Sequence, residues 1–189
     1  MNKRTDGQCV RELSRLQIRK KIQFTMDLIF TKYGDVRDGI FVDIVKIYEY
    51  LANDDIKFNF IVLKDDTDVI SKNISALAVP EEGFIYLKES VYIGATEGVT
   101  SDRLTLAHEL SHLILHWNVP KNGFAKSSIK SHHYTQDAEW QADMGAFDIL
   151  TDHRFLNHMV TANVLSKTAG ISLLNAFSRV DELKYLIKK

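Results

Sequence analysis

Residues 103 to 117 read RLTLAHELSHLILHW, and within that apolar run stand His108, Glu109 and His112. On an α-helix, residues four apart are separated by ~40° in azimuth and ~6 Å in rise, so His108 and His112 project from one face and both imidazoles reach one ion. Zinc, with Zn–N bonds of ~2.0 to 2.1 Å, suits that pair. Glu109 falls on the next azimuth, placed to hold a water at the ion's open position. The spacing therefore predicts two metal ligands, His108 and His112, and a general base, Glu109. HExxH strings also arise by chance. Here the flanks Leu104, Leu106, Ala107, Leu110, Leu113, Ile114 and Leu115 would bury the motif, and core histidines without a metal need other partners.

A catalytic zinc takes three protein ligands and a water, so a further residue is required. A third histidine six residues past His112 is ruled out, because that position is Asn118. His116 lies two turns, ~12 Å, from His108 and cannot share their ion; helix-end capping or a surface role suits it better. Downstream, Gln136-Asp-Ala-Glu139-Trp-Gln-Ala-Asp143 offers carboxylates at i and i+4. Conditional on the motif upstream, Glu139 is the expected third ligand. Asp143 would accept the second ring N–H of a ligating histidine and so fix its tautomer. A solvated acidic face is the alternative for that pair. His132, His133 and Tyr134 precede the same helix; Tyr134 or His133 is a candidate donor to the oxyanion, and each also reads as a surface residue.

These residues need elements to position them. Apolar Val10, Leu13, Ile18, Ile22, Met26 and Ile29 recur at mostly helical spacing, predicting a helix from about 10 to 30, and a second amphipathic run covers 40 to 51. The segments 57–63, 74–79 and 83–87 are short and rich in β-branched and aromatic residues, which predicts three strands, the last two joined as an antiparallel hairpin by Pro80-Glu81-Glu82-Gly83. Thr100, Ser101 and Asp102 offer N-cap oxygens for the motif helix, and Pro120 closes its far end. Residues 118 to 135 read as a polar loop, 137 to 150 as a helix, and 155 to 167 and 172 to 187 as two short ones. The expected fold is α+β, a small antiparallel-containing sheet packed on helices. One domain is expected over 1–189: a helical extension to 35, a catalytic core over 40–152 and C-terminal helices from 153.

The balance of 24 Lys+Arg against 25 Asp+Glu, a net charge of -1, argues against a global field for nucleic acid or anionic lipid. The cluster Lys3, Arg4, Arg11, Arg15, Arg19, Lys20 and Lys21 reads as a solvated helix face in preference to a contact surface. Cys9 is the single cysteine, which excludes an intramolecular disulfide and fits a reducing cytoplasm. No secretory leader and no run of ~18 apolar residues is apparent. A cytoplasmic protein without a membrane partner is the expectation.

The run Arg103-Leu-Thr-Leu-Ala-His-Glu-Leu-Ser-His-Leu-Ile-Leu-His116, followed by Glu139-Trp-Gln-Ala-Asp-Met-Gly-Ala-Phe-Asp-Ile-Leu150, resembles the ImmA/IrrE family of zincin-like metallopeptidases. Its hallmark is an arginine and a hydroxyl residue before AHExGHxxLH, then ExxA(N/D)xFAxxLLMP. The resemblance covers about residues 40 to 185. It implies a zincin-like active-site helix, His108, His112 and Glu139 as ligands of one Zn2+ per chain, Glu109 as base and Asp143 in support. Three departures stand out: Ser111 replaces the glycine before the second histidine, Phe147 is displaced with the proline missing, and the first 35 residues show no helix-turn-helix pattern. The implied activity is hydrolysis of a peptide bond in a protein substrate, with a helix-turn-helix repressor of a mobile element or stress response as the candidate. A different class keeps the fold without the chemistry: a zinc-binding regulatory or toxin–antitoxin module whose fourth metal position is closed by His132 or His133. A third, a DNA-binding regulator using the basic N-terminal helix, predicts steeply salt-dependent affinity, and the near-zero net charge argues against it.

Overall fold

Helix α1 (Arg15–Tyr33) begins at Ser14, whose side chain and that of Gln17 cap one another's backbone N–H groups. Its buried stripe, Ile18, Ile22, Met26 and Ile29, recurs at helical spacing. The helix therefore starts five residues later than periodicity predicts. The reason is that residues 8–13 run extended beside 135–138, with Val10 N donating to Gln136 O (2.8 Å), Leu13 N to Thr135 O (3.0 Å) and Ala138 N to Gln8 O (3.0 Å). The computed structural model describes residues 3–4, 8–53, 58–117, 132–156 and 160–187. Residues 118–131 of the loop predicted over 118–135, with Pro120, the strand start at Lys57 and part of the helix expected over 155–167 lie outside those residues; the rest of that loop, 132–135, forms a short strand and the start of a 3-10 turn.

Strand β1 (Lys3–Arg4) pairs antiparallel with β7 (His132–His133), and β2 (Arg37–Asp38) with β3 (Phe41–Val42). Helix α2 (Ile44–Ala52) follows, capped by Asp43. Then come β4 (Asn59–Leu63), β5 (Ala76–Val79) and β6 (Phe84–Lys88), a three-stranded sheet in the order β4-β6-β5. The β5–β6 hairpin is antiparallel, with Val79 opposite Phe84, and β4 runs parallel to β6. Gly83, at φ 72°, turns the chain where a side chain would be strained. The expected α+β class and hairpin are thus found.

Helix α3 (Glu89–Thr96) is not foreseen by the sequence. It packs so closely on the first turn of α4 (Thr100–His116) that a Cβ on Gly94 would meet Asp102 Oδ2 at 1.9 Å. The N-cap of α4 is Val99, with no side-chain cap, so Thr100, Ser101 and Asp102 do not cap it as expected. After a 3-10 turn at Tyr134–Gln136 come α5 (Ala138–Leu150), α6 (Ala162–Ala169) and α7 (Leu173–Ile187). One contiguous apolar cluster joins α1, α2, the sheet and α4 to α7, with Leu106, Leu110 and Leu113 contributed by α4 and Ala146 and Ile149 by α5. Among the described residues no helix is long and apolar enough to cross a membrane.

Two charged groups lie inside this core. Arg103, 2% exposed, donates to Val42 O (3.0 Å), Ala169 O (3.1 Å) and Gly170 O (3.3 Å), with its guanidinium 3.9 Å above the Phe41 ring centre. It ties the start of α4 to β3 and to the end of α6. Arg15 and Arg19 of α1 and Arg179 of α7 converge on Asp148 and Glu182. Arg19 is buried, so the N-terminal cationic cluster is not one solvated face. Arg11, Lys20 and Lys21 do face solvent.

Candidate metal centre

Helix α4 presents His108 and His112 one turn apart, and α5 crosses it to bring Glu139 opposite. His108 Nε2 lies 3.2 Å from Glu139 Oε2, His112 Nε2 lies 3.5 Å from Glu139 Oε1, and the two Nε2 atoms are 3.0 Å apart. One ligand atom from each residue falls within 4.8 Å of the others, and this is the one such His/Cys/Asp/Glu group among the described residues. Two imidazole nitrogens and a carboxylate oxygen are the donor set that zinc takes when it keeps a position open. Glu139 and Asp143 are exposed while Glu109 is buried, so the group opens to solvent on the α5 side.

Each histidine has its other nitrogen occupied. His108 Nδ1 is 2.9 Å from Asp143 Oδ1, the carboxylate one turn beyond Glu139. His112 Nδ1 is 3.1 Å from His116 Nδ1, and His116 Nε2 is 3.0 Å from Gln141 Oε1. His116 is 2% exposed, so it is not the surface or capping residue that its distance from His108 suggested. It lies four residues beyond His112, the same spacing that picked out His108 with His112, and that signal was available in the sequence. Gln141 carried none.

Charge follows from this packing. Burial opposes charge on His108, yet its hydrogen bonds to Asp143 and Glu139 outweigh burial and raise it to about 10. Hydrogen bonding to His108 is the main cause that holds Glu139 well below the usual carboxylate range. Burial, with the neighbouring His112, pushes His116 down to about 4. Glu109 shifts upward through burial, against the opposing pull of His112 and His108. Its Oε2 accepts from Ala78 N at 2.6 Å. That amide belongs to β5, an edge strand of the three-stranded sheet, so this sheet edge is fixed beside the candidate base.

The remaining predicted residues lie just before α5. His132 is buried with Nε2 3.1 Å from Asp137 Oδ2, while Asp137 Oδ1 caps α5 by accepting from Trp140 N at 2.7 Å. His133 Nδ1 meets Thr135 Oγ1 at 2.6 Å. Tyr134 stands edge-on to Trp140, with ring centres 4.8 Å apart.

The approach of α4 to α5 explains Ser111. Its side chain is fully buried, donates to Ala107 O at 2.8 Å and faces Gly145, where an added Cβ would lie 2.8 Å from Ser111 Oγ and 3.2 Å from Ile22 Cδ1. Gly145→Ala gains about 0.8–1.0 kcal/mol in helix propensity and loses about 1–3 kcal/mol to overpacking. Net destabilisation of about 1 kcal/mol is expected in denaturant titration, with recovery in the Ser111→Gly, Gly145→Ala double variant. A single variant more stable than the parent would refute this packing.

Residues 63–169 match the family model of the IrrE N-terminal-like domain, peptidase family M78. No curated protein matches the sequence. The fold is similar to that of a Mycobacterium tuberculosis transcriptional regulator, at a TM-score of 0.51 and 12% identity, over 87% of this chain and 50% of that one. The chain thus spans half the length of that structure.

Proposed function

The chain belongs to the IrrE N-terminal-like family, and from that premise we propose that it is a zinc-dependent peptidase acting on a protein, with His108, His112 and Glu139 as ligands and Glu109 as general base. The observation that carries this reading is the meeting of three ligand atoms within 4.8 Å, with Glu109 held beside them by Ala78. The fit to zinc is good, because the Nδ1 atoms of both histidines are engaged elsewhere and both Nε2 atoms face Glu139. Bound there, zinc would supply Lewis acidity toward a carbonyl and lower the pKa of a water.

The chain's own residues carry the remaining work. Glu109, raised in pKa by burial, takes a proton from the water and returns it to the leaving amine. The outer edge of β5 runs past Glu109 and offers backbone groups along which an extended peptide can lie. Tyr134 and His133, at the mouth of α5, are the candidates for donating to the oxyanion. The substrate we favour is a transcriptional regulator in the same cytoplasm. A regulatory module with a closed zinc site finds less support, since His132 and His133 are turned to Asp137 and Thr135.

The test is metal content. Purified protein should carry one zinc ion by plasma mass spectrometry, and His112→Ala or Glu139→Ala should lose it. Stoichiometric zinc at unchanged affinity in Glu139→Ala would sink the ligand assignment.

A further inference from the structure

The chain His112–His116–Gln141 has a direction, and its far end sets it. Gln141 Nε2 donates to two backbone carbonyls, Thr135 O at 2.7 Å and Arg11 O at 2.9 Å. Carbonyl oxygens only accept, so the amide has one orientation, and the atom it turns toward His116 is Oε1, also an acceptor. His116 Nε2, 3.0 Å away, must therefore carry a hydrogen. His116 is 2% exposed and Gln141 fully buried, so His116 stays neutral and its Nδ1 is bare. The 3.1 Å contact from that Nδ1 to His112 Nδ1 is then satisfied in one way: His112 Nδ1–H donates. A neutral His112 with its proton on Nδ1 has Nε2 bare, and Nε2 is the atom that faces His108 and Glu139.

The geometry points to His116 and Gln141 as positioning residues that lock His112 in the tautomer able to bind a metal, with the backbone at Arg11 and Thr135 as the anchor. The inference rests on the zinc reading above, and it reaches further, because Arg11 precedes α1 and Thr135 precedes α5. The same two carbonyls that fix Gln141 belong to the segments paired through Leu13 N and Thr135 O. The register of the N-terminal segment against residues 135–138 is thereby coupled to the proton on His112. Asp143 does the equivalent for His108 with a carboxylate. His112 is served instead by a neutral relay, suited to a position without solvent.

The experiment reads the tautomer directly. In zinc-free protein labelled with 15N-histidine, long-range 1H–15N spectra at neutral pH should show His112 with Nδ1 protonated and Nε2 bare. His116→Leu removes the acceptor; it should scatter His112 between tautomers and raise the zinc dissociation constant about 10- to 100-fold. His116→Asn, whose side-chain oxygen takes the place of Nδ1, should restore both, with circular dichroism checking that each variant is folded. An Nε2–H tautomer in the unaltered protein would overturn the proposal, as would His116→Leu leaving both the ring signals and zinc affinity unchanged. Should the unaltered protein show the expected tautomer but bind no zinc, the peptidase reading falls and the relay stands.

Discussion

Glu109→Gln is expected to retain one zinc ion per chain and to lose peptide hydrolysis by about 10²- to 10⁴-fold, the usual contribution of a positioned general base. Gln is chosen because its carbonyl oxygen can still accept from Ala78 N, the bond that anchors Glu109 to β5. The fold and the α4–β5 contact should survive. What disappears is the proton acceptor: an amide has no basic oxygen near neutral pH, whereas burial has shifted the Glu109 carboxyl upward, toward the working range of a base. The check is zinc by plasma mass spectrometry beside cleavage followed by mass spectrometry. Substrates would be a peptide library and purified helix-turn-helix transcriptional regulators. Undiminished cleavage by the variant would remove Glu109 from the mechanism, and loss of zinc would make it a ligand or a structural support.

Asp148→Ala should destabilise the protein by about 3–5 kcal/mol, the cost of removing one partner from a buried charge group. Asp148 is almost wholly buried, and Arg179, fully buried, holds it at 2.7 Å while also donating to Thr151 Oγ1 and O at 2.9 Å. Arg15 adds a bidentate pair and Arg19 a third cation. Without Asp148, three guanidinium groups face Glu182, which is itself partly exposed. The pH dependence has a definite sign. Burial acts against ionisation of Asp148, but the hydrogen bond from Arg15 and the charges of Arg179, Arg15 and Arg19 outweigh it and lower the carboxyl. A carboxyl lowered in the folded state contributes stability that is complete above its unfolded value of about 3.9 and is lost as pH falls through the lowered one. Chemical denaturation between about pH 2.5 and 6 should therefore show the parent losing stability in acid more steeply than Asp148→Ala. Parallel curves, or a variant within about 1 kcal/mol of the parent at pH 7, would show that the group is not coupled in this way.

The contrast between these two sites shows where the sequence was legible. His108, Glu109 and His112 lie within five residues, so helix geometry alone relates them. Glu139 was reached through the need for a third ligand and a second helix with carboxylates at i and i+4, and the structure does bring it to the histidines. The hairpin was readable because β-branched alternation and a Pro-Glu-Glu-Gly turn are local signals. By contrast, Asp148 meets Arg15 across 133 positions and Arg179 across 31, and no periodicity marks such pairs. Local sequence alone therefore places Arg15 and Arg19 on a solvated face. Helix α3 escaped because it is eight residues long and contains Gly94, a poor helix former whose value lies in close approach to Asp102. The start of α1 was misplaced because Val10 and Leu13 do bury themselves, but from an extended segment whose partner is more than 120 residues away.

That distant pairing bears on how the protein comes into being. The backbone bonds from Gln8, Val10 and Leu13 to residues 135–138 close the longest loop in the path to the metal centre, and contacts of high sequence separation form late because chain entropy must be lost before they are made. During synthesis the first thirteen residues must wait for α5 to emerge. Glu139 and Gln141 both lie on α5, so the metal centre cannot assemble until that helix has been synthesised.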